Sequence, residues 1–248
     1  MIRPTVVSLP ARPPSEAELG LAETGAPLPL DELVPGDGPW EVELGFGKGR
    51  YLLERAAAEP GRRFLGVEMV AKYERMMVGR ARRRGLANVI SLRGEALYLL
   101  SAVLPRAFAA AVHVYFPDPW PKARHHKRRL FDPETVDLVL GLLTPGGRFY
   151  FATDFLDYGE LVREILAGHP AVAFHEVPGG WPEGPRTNYE AKYAREGRPI
   201  LRLEGTVAEQ LRAERFRLHP AAGASVLAAV SPPAGDETDL PRFRGRLS

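Results

Sequence analysis

The sequence predicts an α/β fold, a mostly parallel sheet with helices on both faces, from three observations. Short apolar runs alternate with stretches of helical period along most of the 248 residues, and strands that alternate with helices pair in parallel through right-handed crossovers. Apolar residues make up 45% of the chain, enough to bury such a sheet on both sides in one domain but not in two large ones. The first apolar run ends in Gly45, Gly47 and Gly49, and open sheets of this kind bind ligands beyond the carboxyl ends of their strands.

Taken in order, residues 1–39 carry eight prolines and no sustained period, which reads as an irregular arm closed by Pro39. Short apolar runs place strands at 40–44, 63–68, 88–92, 111–116 and 148–153. Apolar residues three or four apart place helices at 50–58, 71–84, 96–103, 133–143 and 157–167. The folded domain is expected over 40–204, followed by an extension of unassigned role over 205–248.

Composition excludes several classes of function. No run approaches the roughly 18 apolar residues of a membrane helix, and the proline-rich start lacks a secretory apolar segment, so a cytoplasmic protein with no membrane partner is expected. The absence of cysteine rules out disulfides, thiolate metal sites and cysteine nucleophiles. His125 and His126 are adjacent, so they point apart, and no third ligand is evident; no metal is expected. The net charge of +2 says little, but the charges cluster. Lys72 to Arg84 holds six Lys/Arg against one Glu, and Lys122 to Arg129 holds five Lys/Arg and no acid.

The strand ends carry the chemistry. Three glycines at every second position let the backbone turn sharply and approach a ligand. Their spacing fits neither the dinucleotide fingerprint nor the phosphate loop, since Lys48 is followed by Gly49. Glu43, just before the glycines, would repel a pyrophosphate but suits the ammonium of a methionine moiety, which favours S-adenosylmethionine over NAD. Glu68 ends the second strand, where a carboxylate accepts from ribose hydroxyls, and Glu95 follows the third, near where adenine would lie.

After the fourth strand, Pro117, Pro119 and Pro121 stiffen a loop that holds Asp118 and Trp120 at the mouth of this site. The basic run behind it, Lys122, Arg124, Lys127, Arg128 and Arg129, can neutralise phosphates. Together these stretches resemble the bacterial tRNA (guanine-N7-)-methyltransferase family and its Rossmann-like class I methyltransferase fold. The resemblance rests on Glu43 to Gly49, Asp118 to Arg129, Thr153-Asp154, and Thr187-Asn188-Tyr189-Glu190, in that order, over roughly residues 40–203. It departs at Glu95, where Asp or Asn is more frequent, and in the tail beyond about Gly205.

The resemblance implies a methyltransferase domain that moves a methyl group from S-adenosylmethionine to guanine N7 in the tRNA variable loop. It implies cofactor contacts from Glu43, Gly45, Gly47, Gly49, Glu68, Glu95 and Asp118. It assigns RNA-substrate contacts to Lys122, Asp154, Thr187, Asn188, Tyr189 and Glu190, with Arg124, Lys127, Arg128 and Arg129 on the RNA backbone. Asp118 is the expected catalytic residue, stabilising positive charge that passes to the purine, while Asp154 and Glu190 accept from the guanine edge. Trp120, Tyr115 or Tyr189 would stack on a base swung out of the RNA. Two alternatives fit the same residues: a methyltransferase for another nucleobase or for protein, and an RNA-binding protein of this fold without catalysis. Monomer and homodimer both remain open.

Overall fold

The computed structural model describes residues 7–8, 28–34, 36–122, 124, 129–133 and 135–208. Its described strands are β1 (Val7–Ser8), β2 (Trp40–Leu44), β3 (Arg63–Glu68), β4 (Val89–Arg93), β5 (Ala109–Tyr115), β6 (Leu143–Thr153), β7 (Val172–Glu176) and β8 (Leu201–Val207). They form one sheet in the order β1-β4-β3-β2-β5-β6-β8-β7. Every pair from β1 to β6 is parallel, and β8 runs antiparallel to both β6 and β7. The described helices are α1 (Leu30–Leu33), α2 (Arg50–Ala58), α3 (Ala71–Arg83), α4 (Ala96–Tyr98), α5 (Val136–Leu140), α6 (Leu156–Ala167) and α7 (Asn188–Arg195). Leu99–Val103 continues α4 as a π-helical turn.

Alternation along the strands divides the core. Val42, Leu65, Ile90, Val112 and Phe149 point to one face and join Tyr158, Val162 and Leu166 of α6 in a large aliphatic and aromatic layer. On the opposite face Phe64 and Val89 pack on Leu52 and Leu53 of α2 and Met77 of α3. Farther along that second face, Tyr51, Tyr115, Tyr150 and Trp181 form an aromatic cluster. This period of two is what a sheet covered on both sides requires.

Three differences from the sequence reading have physical causes. Residues 28–34, read with the proline-rich arm, include Leu28, Leu30 and Val34, which are buried against the main core although too few to show a period. The edge strand β7, its neighbour β8 and helix α7 lie in a stretch with no strong pattern; β7 has no fully buried position, so it carries little apolar signal. β6 begins five residues before 148 because its first half, with Pro145, Gly146 and Gly147, looks like a turn.

The chain lays down β2, β3 and β4 in one direction and then returns to place β5 on the other side of β2. The connections therefore diverge at the carboxyl ends of β2 and β5, the place where open sheets of this kind hold a ligand in a crevice.

Candidate active site

Glu43, which is 2% exposed, is the penultimate residue of β2, and after Leu44 the chain enters the glycine turn. Gly45, Gly47 and Gly49 all have positive φ, at 76°, 53° and 68°. A side chain at Gly45 or Gly47 would meet nothing within 4 Å, so the backbone is bare toward the crevice. Gly49 serves packing instead: a Cβ there would sit 2.4 Å from Met77, and the residue starts α2 in a left-handed conformation.

Glu68 closes this turn from the neighbouring strand. Its Oε2 accepts from the Gly47 N–H at 2.8 Å and its Oε1 from the Val70 N–H at 2.8 Å. The Met69 N–H also acts on this carboxylate, so the backbone leaves only part of its acceptor capacity free. Burial raises the Glu68 carboxyl, backbone donors from Val70, Gly47 and Met69 oppose this, and nearby Asp118 raises it further. Glu43 is raised more, to about 8, chiefly by burial; the Leu52 N–H lowers it and Glu68 raises it. Glu43 Oε2 is buried without a hydrogen-bond partner. A buried carboxyl with one unpartnered oxygen beside a second acid is a site where a cation would favour the ionised form.

Asp118 stands exposed on the loop after β5, where the surrounding protein still raises its carboxyl by desolvation. The loop is strained at two residues that precede prolines: Phe116 has φ 54° and Trp120 φ 40°. Such conformations cost on the order of 1–3 kcal/mol each and persist only where neighbours hold them. The holders are visible. Phe116 N–H donates to the Ala152 carbonyl at 2.7 Å, and the Arg129 guanidinium donates to the Pro119 carbonyl at 2.8 Å while lying over the Tyr158 ring.

Arg129 is thus a correction to the sequence reading. Expected on the RNA backbone, it is 8% exposed and serves as a strut beneath the loop. Lys122 and Arg124 are exposed, and Lys127 and Arg128 lie outside the described residues.

The Thr187–Glu190 segment also divides. Thr187 Oγ1 accepts from the Glu190 N–H at 3.0 Å and caps α7. Glu190 is 1% exposed; one oxygen accepts from the Arg186 N–H at 2.8 Å and the other from Arg202 on β8 at 2.6 Å. Both oxygens are engaged inside the protein, so Glu190 fixes α7 to the sheet and does not face the crevice as expected. Asn188 and Tyr189 face outward; Tyr189 is 53% exposed. Asp118 and Glu68 act on the Tyr189 hydroxyl electrostatically, and its ring packs with Phe116 and Tyr193. Asp154 is half-buried beside Arg198, 3.6 Å away. Glu95 caps α4, accepting from the Tyr98 N–H at 2.8 Å.

The sequence reading missed Arg186. Its guanidinium lies 4.0 Å from the Trp181 ring centre and 4.6 Å from that of Tyr150, near Tyr51 and Tyr115, and donates to the Tyr115 hydroxyl at 2.7 Å. Behind it, buried His113 contacts Tyr115 and Glu41. An arginine that follows Pro182, Gly184 and Pro185 carries no periodic signal, and the cage assembles from elements distant in sequence.

Among the described residues no group of three His, Asp or Glu converges on a metal position, and no helix is long and apolar enough to cross a membrane. A hollow of about 520 Å³ lined by Leu28, Trp40, Arg63 and Phe108 lies at the amino ends of the strands, away from these residues.

A methyltransferase family model, Methyltransf_4, matches residues 37–203. The tRNA (guanine-N(7)-)-methyltransferase of Nitrosococcus oceani is 39% identical over 162 residues, 65% of this chain and 69% of that protein. The chain belongs to the tRNA (guanine-N7-)-methyltransferase family. Its relative in Alkalilimnicola ehrlichii is 36% identical over 182 residues, 72% of this chain and 77% of that one. Among solved structures, the 16S rRNA methyltransferase KamB shares the fold with a TM-score of 0.52 and 17% identity, covering 72% of this chain and 92% of that one. The family member is therefore an enzyme of the class I methyltransferase fold, and the crevice between β2 and β5 is where that fold opens.

Proposed function

We propose that this enzyme transfers a methyl group from S-adenosylmethionine to N7 of a guanosine in the tRNA variable loop. The observation that carries the reading is the crevice itself: buried Glu43 with one unpartnered oxygen, the bare turn at Gly45 and Gly47, Glu68 beside it and Asp118 at the mouth. These residues fit the cofactor. Glu43 would hold its ammonium, the bare backbone at Gly45 and Gly47 would admit it closely, and Glu68 would accept from its ribose with the acceptor capacity that the backbone leaves free. Glu95, engaged in capping α4, contributes through the Gly94-Glu95 backbone near the adenine.

When bound, S-adenosylmethionine supplies an electrophilic methyl group on a sulfonium. The protein's task is positioning, because guanine N7 carries an exposed lone pair and needs no strong general base. Holding donor and acceptor at attack distance contributes roughly 7–11 kcal/mol. Asp118 stabilises the positive charge arriving on the purine. Tyr189, backed by Phe116 and Tyr193, offers a ring for an extruded base, and Asp154 accepts from the guanine edge. Lys122 and Arg124, with Lys127 and Arg128, meet the RNA backbone.

The test is to incubate the enzyme with S-adenosylmethionine and transcribed tRNA, then cleave the RNA chemically at N7-methylguanosine. A single cleavage in the variable loop is expected. Cofactor turnover with no cleavage at guanosine would transfer the reading to another nucleobase; no cofactor binding in calorimetry would favour an RNA-binding role alone.

A further inference from the structure

We propose that α3 carries a second track for the RNA backbone, formed by Lys72, Arg75, Arg82 and Arg83, which grips a part of the tRNA away from the methylated base. The proposal rests on the tRNA reading above. At about 100° per residue these four side chains fall within one sector of about 100°, with Gly79 near its middle, and they span about 16 Å along the helix. All four are exposed.

A charged helix face is ordinarily solvated and laced with its own ion pairs, and the other long helices follow that rule. Arg50 pairs with Glu54 on α2 and Arg55 with Glu59 at its C-cap, Arg163 with Glu160 on α6, and Lys192 on α7 with Glu196 just beyond it. On α3, none of the four cations has a carboxylate partner among the described residues. Its one acid, Glu74, is 5% exposed and lies on the opposite, buried side. Attraction to the helix C-terminus accounts for Arg82 and Arg83 but not for Lys72 and Arg75, which sit in the half where the dipole disfavours cations. A row of uncompensated like charges is complementary to a polyanion.

The face also adjoins the active site. α3 begins at Ala71, separated from Glu68 only by the exposed Met69 and Val70. Tyr73 acts electrostatically on Tyr189, and Arg80 donates to the Lys48 carbonyl in the glycine turn at 2.9 Å. An RNA whose guanine enters at Tyr189 and Asp118 therefore passes the start of α3. Gly79 leaves the middle of the face without a side chain, with Arg83 folded near it; an added Cβ would stand 3.5 Å from that guanidinium.

The test compares the wild-type chain with a variant carrying Lys72→Gln, Arg75→Gln, Arg82→Gln and Arg83→Gln. Neutralising four contacts should lower the slope of log K for tRNA against log salt by about 3, equivalent to a roughly hundredfold difference between 50 and 200 mM salt. The KM for tRNA should rise at least tenfold, with kcat and cofactor affinity within twofold. An unchanged slope and KM would overturn the track while leaving the tRNA reading intact; a wild-type enzyme that does not methylate tRNA would overturn both. A second measurement does not depend on how the fourfold variant folds. The chain has no cysteine, so Gly79→Cys bearing an azidophenacyl group places a single cross-linker on α3. It should cross-link to tRNA, whereas Glu164→Cys on α6, at the other end of the sheet, should not; equal cross-linking from both, or none from position 79, contradicts the proposal.

Discussion

Glu43 makes a quantitative prediction about cofactor binding. Burial pushes its carboxyl up to about 8 in the free protein, so at pH 7 the protonated form prevails. Placing an ammonium group against the unpartnered Oε2 favours the ionised form, and binding should expel that proton. S-adenosylmethionine titrated by calorimetry at pH 7 in buffers of different ionisation enthalpy should therefore release up to about one proton more from wild type than from Glu43→Gln. The variant should bind about 1.5–3 kcal/mol more weakly through loss of a charged hydrogen bond. The same group sets a pH dependence without ligand. Because the folded value lies above the unfolded 4.5, the native state holds more protons between 4.5 and about 8, and stability falls as pH rises through that window. At about 1.4 kcal/mol per pH unit the fall is about 5 kcal/mol at most, and Glu43→Gln should abolish it. Equal proton release from wild type and variant would refute the placement of the ammonium at Glu43.

Other residues separate architecture from contact. Arg186→Ala removes the cation from its aromatic cage and should cost about 3 kcal/mol or more in urea denaturation, with Arg186→Lys restoring only part because lysine lacks the planar fork. Glu190→Ala leaves Arg202 buried without its partner and should cost about 3–5 kcal/mol, read by thermal or urea melts, with a raised KM for tRNA as α7 loosens. Arg124→Ala should flatten the salt dependence of tRNA binding by about 0.7–0.9, while Arg129→Ala should leave that slope unchanged and lower kcat through the loosened Pro119 loop. Asp118→Ala should abolish methyl transfer to tRNA while S-adenosylmethionine binding persists; near-normal turnover would remove Asp118 from the mechanism.

What could be read from sequence was whatever local pattern encodes. Strands β2 and β3 and helix α2 stand where the apolar period places them, because each buries a face at its own period. The glycine turn and the acids Glu43 and Glu68 were legible since strand ends are fixed by the strands that precede them. The direction of a long side chain was not. Arg129 and Glu190 belong to motifs that look like contact residues, yet one carries a strained loop and the other ties α7 to β8. Both decisions depend on partners far along the chain, Pro119 with Tyr158 in one case and Arg202 in the other. The Arg186 cage was hidden for the same reason, since its walls come from α2, β5, β6 and the loop at Trp181.

The most direct measurement is a crystal structure of the enzyme with S-adenosylhomocysteine and a tRNA fragment carrying the variable loop. The account predicts the amino group against Glu43, the ribose against Glu68, and a guanine N7 facing the sulfur beside Asp118 and Tyr189. A nucleoside seated elsewhere, or an RNA that leaves the mouth between β2 and β5 empty, would contradict it.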